Sequence, residues 1–287
     1  MPVLSAFRHT GLGALAVLLA FSAFTPAHAH SGESLQKSLE PILAGSWRSD
    51  TNKARDQYRH PVQTLEFFGV RPNLTVIELI PGGASAWYAE LLAPLLAEKG
   101  QYIAANIDPA RSEARLAAYY QRTADAQKAK FEAAPAQYGK ARVVSFDLKA
   151  PVFGPAGSAD AVLTFRNVHN WVKSNDVPGM FKAAFTVLKA GGVFGVVDHR
   201  SAPGKSLAEV VDSGYLPTAY VIEQAQAVGF KLDLQSEVNA NPKDTKDYVK
   251  GVWTLPPVLA NGQVDREKYL AIGESDRFTL RFVKPGK

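Results

Sequence analysis

Val76 to Leu92 reads VIELIPGGASAWYAELL, and the fold turns on how this stretch is understood. A β-branched apolar run breaks at Pro81, Gly82 and Gly83, then apolar residues return at the spacing of a helix. Strand, glycine turn and helix in that order predict one edge of an open α/β sheet. Ligands of such sheets sit beyond the carboxyl ends of the strands.

Working outward, the same alternation continues. QYIAANI (101–107) is a second strand, Pro109 to Lys130 a long helix, RVVSF (142–146) a third strand and ADAVLTF (159–165) a fourth. A helix near 177–188 and the strand GGVFGVV close the series. Strands joined by helical crossovers run parallel and are buried on both faces, hence the continuously apolar runs. Beyond them lie a helix near 217–228, FKLDLQSEV with period two, a long polar loop, and RFTLRFV with period two again. Two strands with no helix between them pair antiparallel. The expected fold is α/β: a doubly wound, mostly parallel sheet ending in an antiparallel hairpin.

Upstream, Leu35, Leu39, Ile42 and Leu43 mark a helix, and Pro61 to Phe68 a second one stopped by Gly69. Between them TNKARDQYRHP (51–61) reads either as an entrance segment, with Tyr58 and His60 closing over a substrate, or as a solvated linker. The expected division is a signal peptide over 1–29, an N-terminal helical segment over 30–69 and the main domain over 70–287. The signal peptide is expected from Arg8, the apolar run Gly11 to Phe24 and the small-x-small site Ala27-His28-Ala29. A retained anchor would need about 20 apolar residues. Export to a bacterial periplasm follows as the expected location, with no membrane association after cleavage.

Composition removes several classes of function. There is no cysteine, which excludes disulfides, thiolate catalysis and Cys-ligated zinc. A net charge of +5 without a Lys/Arg cluster argues against nucleic acid. GxGxxG, GKS/GKT and GxSxG are missing, so dinucleotide binding, phosphoryl transfer and serine hydrolysis lack their signatures. No metal is expected, because the histidines show neither an i, i+4 pair nor HExxH.

Polar groups gather at the strand ends instead. They are Glu78 and Gly82-Gly83 after strand one, Asn106 and Asp108 after strand two, Asp147 after strand three, and Arg166-Asn167-Val168-His169 after strand four. With RDQYRHPVQTLEFFGV, VIELIPGG before WYAELLAPLL, ADAVLTFRNVHNW, LKAGG, VDHR and DRFTLRFVKP, the chain from about Asn52 to Pro285 resembles the class I S-adenosylmethionine-dependent methyltransferases. Within them it resembles an exported group. The resemblance implies a Rossmann-like methyltransferase fold and S-adenosylmethionine as cofactor, with an unknown methyl acceptor. Glu78, Gly82 and Gly83 would surround the methionine part, the strand-two acid the ribose, and Asp147 the adenine; Arg166 joins this cofactor set. The chain departs from the family pattern at Ala84-Ser85-Ala86, inserted in the turn, and at Asn106, where the ribose acid is usual. Methyl transfer demands chiefly alignment, and a base only where the acceptor must lose a proton. His169 and His199, each following a strand, are the catalytic candidates. The alternative from another class is a periplasmic binding or interaction protein that keeps this fold without the reaction.

Overall fold

The computed structural model describes Met1 and residues 29–286, with side chains from Leu35 onward. The expected signal peptide thus lies almost wholly outside the described residues. Seven strands form one sheet in the order β3-β2-β1-β4-β5-β7-β6. They are β1 (Thr75–Leu79), β2 (Gln101–Ile107), β3 (Arg142–Phe146), β4 (Ala159–Phe165), β5 (Leu188–His199), β6 (Lys231–Ser236) and β7 (Arg277–Val283). β1 through β5 pair in parallel, while β7 enters antiparallel between β5 and β6.

Strand order reverses at β1, with β2 and β4 on its two sides, which opens a crevice at their carboxyl ends. Residues alternate between two cores across the sheet: Ile77, Leu79, Ala105 and Ile107 face one way, and Val76, Tyr102 and Ala104 the other. Burial on both faces explains why these strands read as unbroken apolar runs.

The helices are α1 (Ala29–Leu43), α2 (Asp50–Lys53), α3 (Asp56–Arg59), α4 (Pro61–Phe67), α5 (Ala89–Leu96), α6 (Ala114–Ala133), α7 (Pro135–Tyr138), α8 (Val168–Lys173), α9 (Val177–Val187), α10 (Leu207–Val210), α11 (Thr218–Ala227) and α12 (Arg266–Ile272). Several differ from the sequence expectation. The helix expected over Trp87 to Glu98 runs from Ala89 to Leu96, and Trp87 and Tyr88 are buried in the turn before it. The long helix begins at Ala114, since Asp108 caps a 3-10 turn over Pro109–Arg111 first. α8 was not foreseen, being only six residues long. The stretch between β6 and β7, expected as a polar loop, holds a 3-10 turn at Gly251–Thr254 and α12. The antiparallel pairing is therefore present although a helix separates its two strands.

The segment 51–61 is not a solvated linker. Asn52 and Arg59 are buried, and the Trp87 indole N–H donates to the Asn52 carbonyl at 2.8 Å. The guanidinium of Arg59 lies 4.9 Å from the centre of the Trp87 ring and that of Arg48 5.5 Å. Among the described residues no helix is long and apolar enough to cross a membrane.

Candidate functional site

Three places at the carboxyl edge carry the expected residues, and they differ in how fully their polar groups are paired.

The first is the glycine turn. Gly82 has φ 92°, a conformation that a side chain disfavours. A Cβ on Gly83 would stand 3.1 Å from the Thr123 carbonyl oxygen and 3.3 Å from the Ala126 Cβ, both on α6. The turn thus packs directly against that helix. The buried Gln127 of α6 donates to the Gly82 carbonyl at 3.0 Å and accepts from the Asn106 amide at 2.6 Å. Lys130, one turn on, donates to the Ala84 carbonyl at 3.1 Å and to Glu90 at 2.6 Å. The residues inserted in the turn are held by α6, and the space between Gly82 and Asn106 is filled by Gln127. Glu78 lies beneath, buried and accepting from the Tyr102 hydroxyl at 2.7 Å. Burial pushes its carboxyl up to about 8, against the pull of Tyr102 and Arg59.

The second place is a cleft of about 770 Å³ lined by Ile80, Ile107, Leu148, Asn167, Asn170 and Trp171, among others. Each strand from β1 to β4 thus delivers a residue to it from just beyond or at its carboxyl end. Ile80 reaches it from a left-handed backbone, φ 49°, costly for a β-branched side chain. Of the expected cofactor residues, Asp108 and Asp147 lie one position from Ile107 and Leu148 but turn to local partners. Asp108 accepts from the Ala110 N–H at 2.9 Å and Asp147 from the Lys149 N–H at 2.8 Å. Sequence reasoning singled out the polar residues and passed over these apolar neighbours.

The third place is a cavity of about 170 Å³ lined by Arg166, His169, His199 and Trp253, with Pro256 and Pro257. It lies at the ends of β4 and β5, beneath the segment between β6 and β7. The two expected histidines meet here, their rings 5.0 Å apart. Between them stands Asp198, fully buried. It accepts from the His169 ring Nδ1 at 2.9 Å, from the His169 backbone at 3.2 Å and from the His199 backbone at 2.8 Å. A carboxylate accepts only, so in this contact the His169 Nδ1 carries a hydrogen and the ring's orientation is fixed. His199 places Nδ1 at 2.5 Å from the Ser275 hydroxyl. Its pKa is held well below the usual histidine value, first by burial and then by His169, Arg166, Arg277 and Arg59.

Ligand atoms of His169, Asp198 and His199 come within 4.8 Å of one another, close enough for a metal ion. Both Nδ1 atoms are already engaged, and the arginines nearby oppose a cation. Asp198, Ser275 and Trp253 were not singled out from sequence. Asp198 sits inside the quoted VDHR, whereas Trp253 comes from a segment taken for a polar loop although it reads VWTLPPV.

Arg166, expected with the cofactor, lines this small cavity and not the 770 Å³ cleft. It too has a left-handed backbone, φ 60°. Behind it Glu274 binds Arg55 at 2.6 Å, Arg59 at 3.2 Å and Arg277 at 3.0 Å. Tyr58 and His60 line a separate cavity of about 230 Å³ beside Asn239, Glu274 and Arg277. The Tyr58 carbonyl accepts from Arg277 at 2.5 Å, and burial lowers the His60 pKa.

No protein-family model and no curated protein matches this chain. Solved structures do. A SAM-dependent methyltransferase from Aquifex aeolicus is 14% identical with a TM-score of 0.53, over 88% of this chain and 98% of that one. A candidate sarcosine dimethylglycine methyltransferase from Galdieria sulphuraria is 14% identical with a TM-score of 0.55, over 86% and 90%. The [4+2]-cyclase SpnF is 14% identical with a TM-score of 0.52, over 91% and 98%. SpnF bears the name of a different reaction, so the likeness speaks to architecture. With its β3-β2-β1-β4-β5-β7-β6 sheet and these neighbours, the chain has the Rossmann-like fold of the class I SAM-dependent methyltransferases.

Proposed function

We propose that the protein transfers a methyl group from S-adenosylmethionine to a small acceptor held at the ends of β4 and β5. The observation that carries this is the pair of cavities on either side of one segment. Asn167, Asn170 and Trp171 line the large cleft, and Arg166 and His169 line the small one. A volume near 770 Å³ is in the range of cofactor sites, roughly 300 to 1,000 Å³. Ile107 and Leu148 supply apolar walls suited to a base, with Asn167 and Asn170 as polar contacts. Bound there, the cofactor would supply an electrophilic methyl group. His169, fixed by Asp198, would take a proton from the acceptor at Nε2, while Trp253 and the two prolines exclude water. Isothermal calorimetry with S-adenosylmethionine and its demethylated product tests the proposal, and no binding of either at millimolar concentration would sink it.

A second reading, a binding protein that keeps the fold without the reaction, has one observation in its favour. Gln127 fills the space between Gly82 and Asn106 that the resemblance gives to the cofactor. Export to the periplasm, with a mature chain starting near His30, is proposed from the sequence alone. Mass spectrometry of the N-terminus from the native host tests it, and an intact Met1 would end the idea.

A further inference from the structure

Arg166 makes no side-chain hydrogen bond and no ion pair with any described residue, although it is half-buried. Its neighbours do not neutralise it. Arg55, Arg59 and Arg277 share the single carboxylate of Glu274, and even so the Arg55 Nη2, Arg59 Nη2 and Arg277 Nε atoms are buried without partners. Glu78, the next acid toward Arg59, keeps its proton at neutral pH because of its burial. The four guanidiniums of Arg55, Arg59, Arg166 and Arg277 thus stand against two buried carboxylates, Glu274 and Asp198, so positive charge is left over at this end of the sheet, and of the four it is Arg166 that lines the cavity beside His169 and His199.

A partly buried charge without a partner carries a desolvation cost, and leaving one unmatched in the wall of a cavity is the expected mark of a ligand that brings the opposite charge. The remaining wall is apolar: Val252, Trp253, Leu255, Pro256, Pro257 and Val258. His199 presents a neutral ring, held so by burial first and then by the neighbouring cationic groups. Arg166 lines the same cavity as the two histidines, so the charge that invites an anion there opposes a cation.

We infer that the cavity takes a small organic carboxylate, its charge paired with Arg166 and its apolar body packed on Trp253 and the Pro256-Pro257 wall. This rests on the methyl-transfer proposal in making that carboxylate the acceptor, and it narrows the acceptor to small acids with an apolar part. A guanidinium matches a carboxylate with two parallel N–H···O bonds, which a lysine at the same place does not reproduce. A cavity of about 170 Å³ admits one ring or a short chain, and excludes a peptide or a nucleotide.

The test is a titration of the full mature chain with benzoate, with its uncharged isostere benzamide and with inorganic phosphate, read by calorimetry and by tryptophan fluorescence. Benzoate is expected to bind at least about tenfold more tightly than benzamide. Arg166→Gln is expected to remove that preference, and Arg166→Lys to restore it only in part. Equal binding of benzoate and benzamide, or a preference unchanged in Arg166→Gln, would overturn the inference, and tighter binding of phosphate would overturn the carboxylate assignment. The comparison of the two probes on the unsubstituted protein decides even if Arg166→Gln does not fold. S-adenosylmethionine titrated into the same preparations keeps the two proposals apart. Benzoate binding without cofactor binding leaves the anion cavity and removes methyl transfer, while cofactor binding without a benzoate preference does the reverse.

Discussion

The glycine turn and the β4–β5 edge lie at the ends of neighbouring strands, yet one is closed upon itself and the other is left electrically open. At the turn, Gln127 and Lys130 of α6 satisfy the Gly82 and Ala84 carbonyls, the Asn106 amide and the Glu90 carboxylate. At the β4–β5 edge, the Arg166 side chain has no hydrogen-bond partner among the described residues, and three buried guanidinium nitrogens behind it have none either. Chain segments that satisfy one another build stability, whereas groups left waiting are available to a ligand. The region that looks most like a motif is thus the better satisfied of the two.

The largest effect is expected behind the open edge. Glu274→Gln removes the carboxylate shared by Arg55, Arg59 and Arg277, and breaking a buried ion pair in this way costs about 3 to 5 kcal/mol. Urea unfolding measures it, and a loss under about 1 kcal/mol would mean that water already solvates these guanidiniums and that the contrast is absent.

Glu78 provides the next. The folded chain keeps its proton up to about pH 8, while the unfolded chain gives it up near the ordinary value of 4.5. Stability from this group is complete below about 4.5 and is lost as pH rises toward 8. Glu78→Gln, which needs no such proton, is expected to raise stability at pH 7 by up to about 3 kcal/mol and to flatten the slope between those limits. Unfolding curves at pH 5 and 8 decide, and an unchanged slope would show that Glu78 is ionised.

Gln127→Ala probes the closure itself. It strands the buried Asn106 amide and is expected to cost about 2 kcal/mol. If α6 covers the cofactor's place, affinity for S-adenosylmethionine rises severalfold in the same variant. Lower affinity would mean that Gln127 supports the binding site and does not obstruct it. Asn106 stands where the resemblance puts the ribose acid. A carboxylate at that position would face the Gln127 oxygen, so Asn106→Asp is expected to destabilise the chain before it can help a ribose.

The smallest effect belongs to Asp108, whose side chain is partly exposed and serves a local cap. Asp108→Asn is expected to cost about 0.5 kcal/mol in thermal unfolding and to leave cofactor affinity unchanged. A marked loss of affinity would place the ribose at Asp108 and reopen the comparison.

The alternation of apolar runs with helical spacing was enough for the sheet, because strands buried on both faces have little freedom in composition. Glu78, the glycines and His169 were visible as polar or flexible residues at predicted strand ends, and chain order alone puts them at one edge. Their partners were not visible. Asp198 lies 29 residues from His169, and Glu274 lies 219 from Arg55 and 215 from Arg59. No local pattern links such distant positions.

What the sequence determined by itself is the order of elements, the class of fold and the edge on which polar groups collect, since these follow from periodicity and from the turn residues. Which of those groups are paired was decided only by the tertiary structure. Whether Gln127 reaches Asn106, or whether any carboxylate reaches Arg166, depends on how α6 and the segments around Glu274 and Trp253 pack against strands far away in the chain. A hydrogen bond or ion pair needs placement within a few tenths of an ångström, and only packing supplies it.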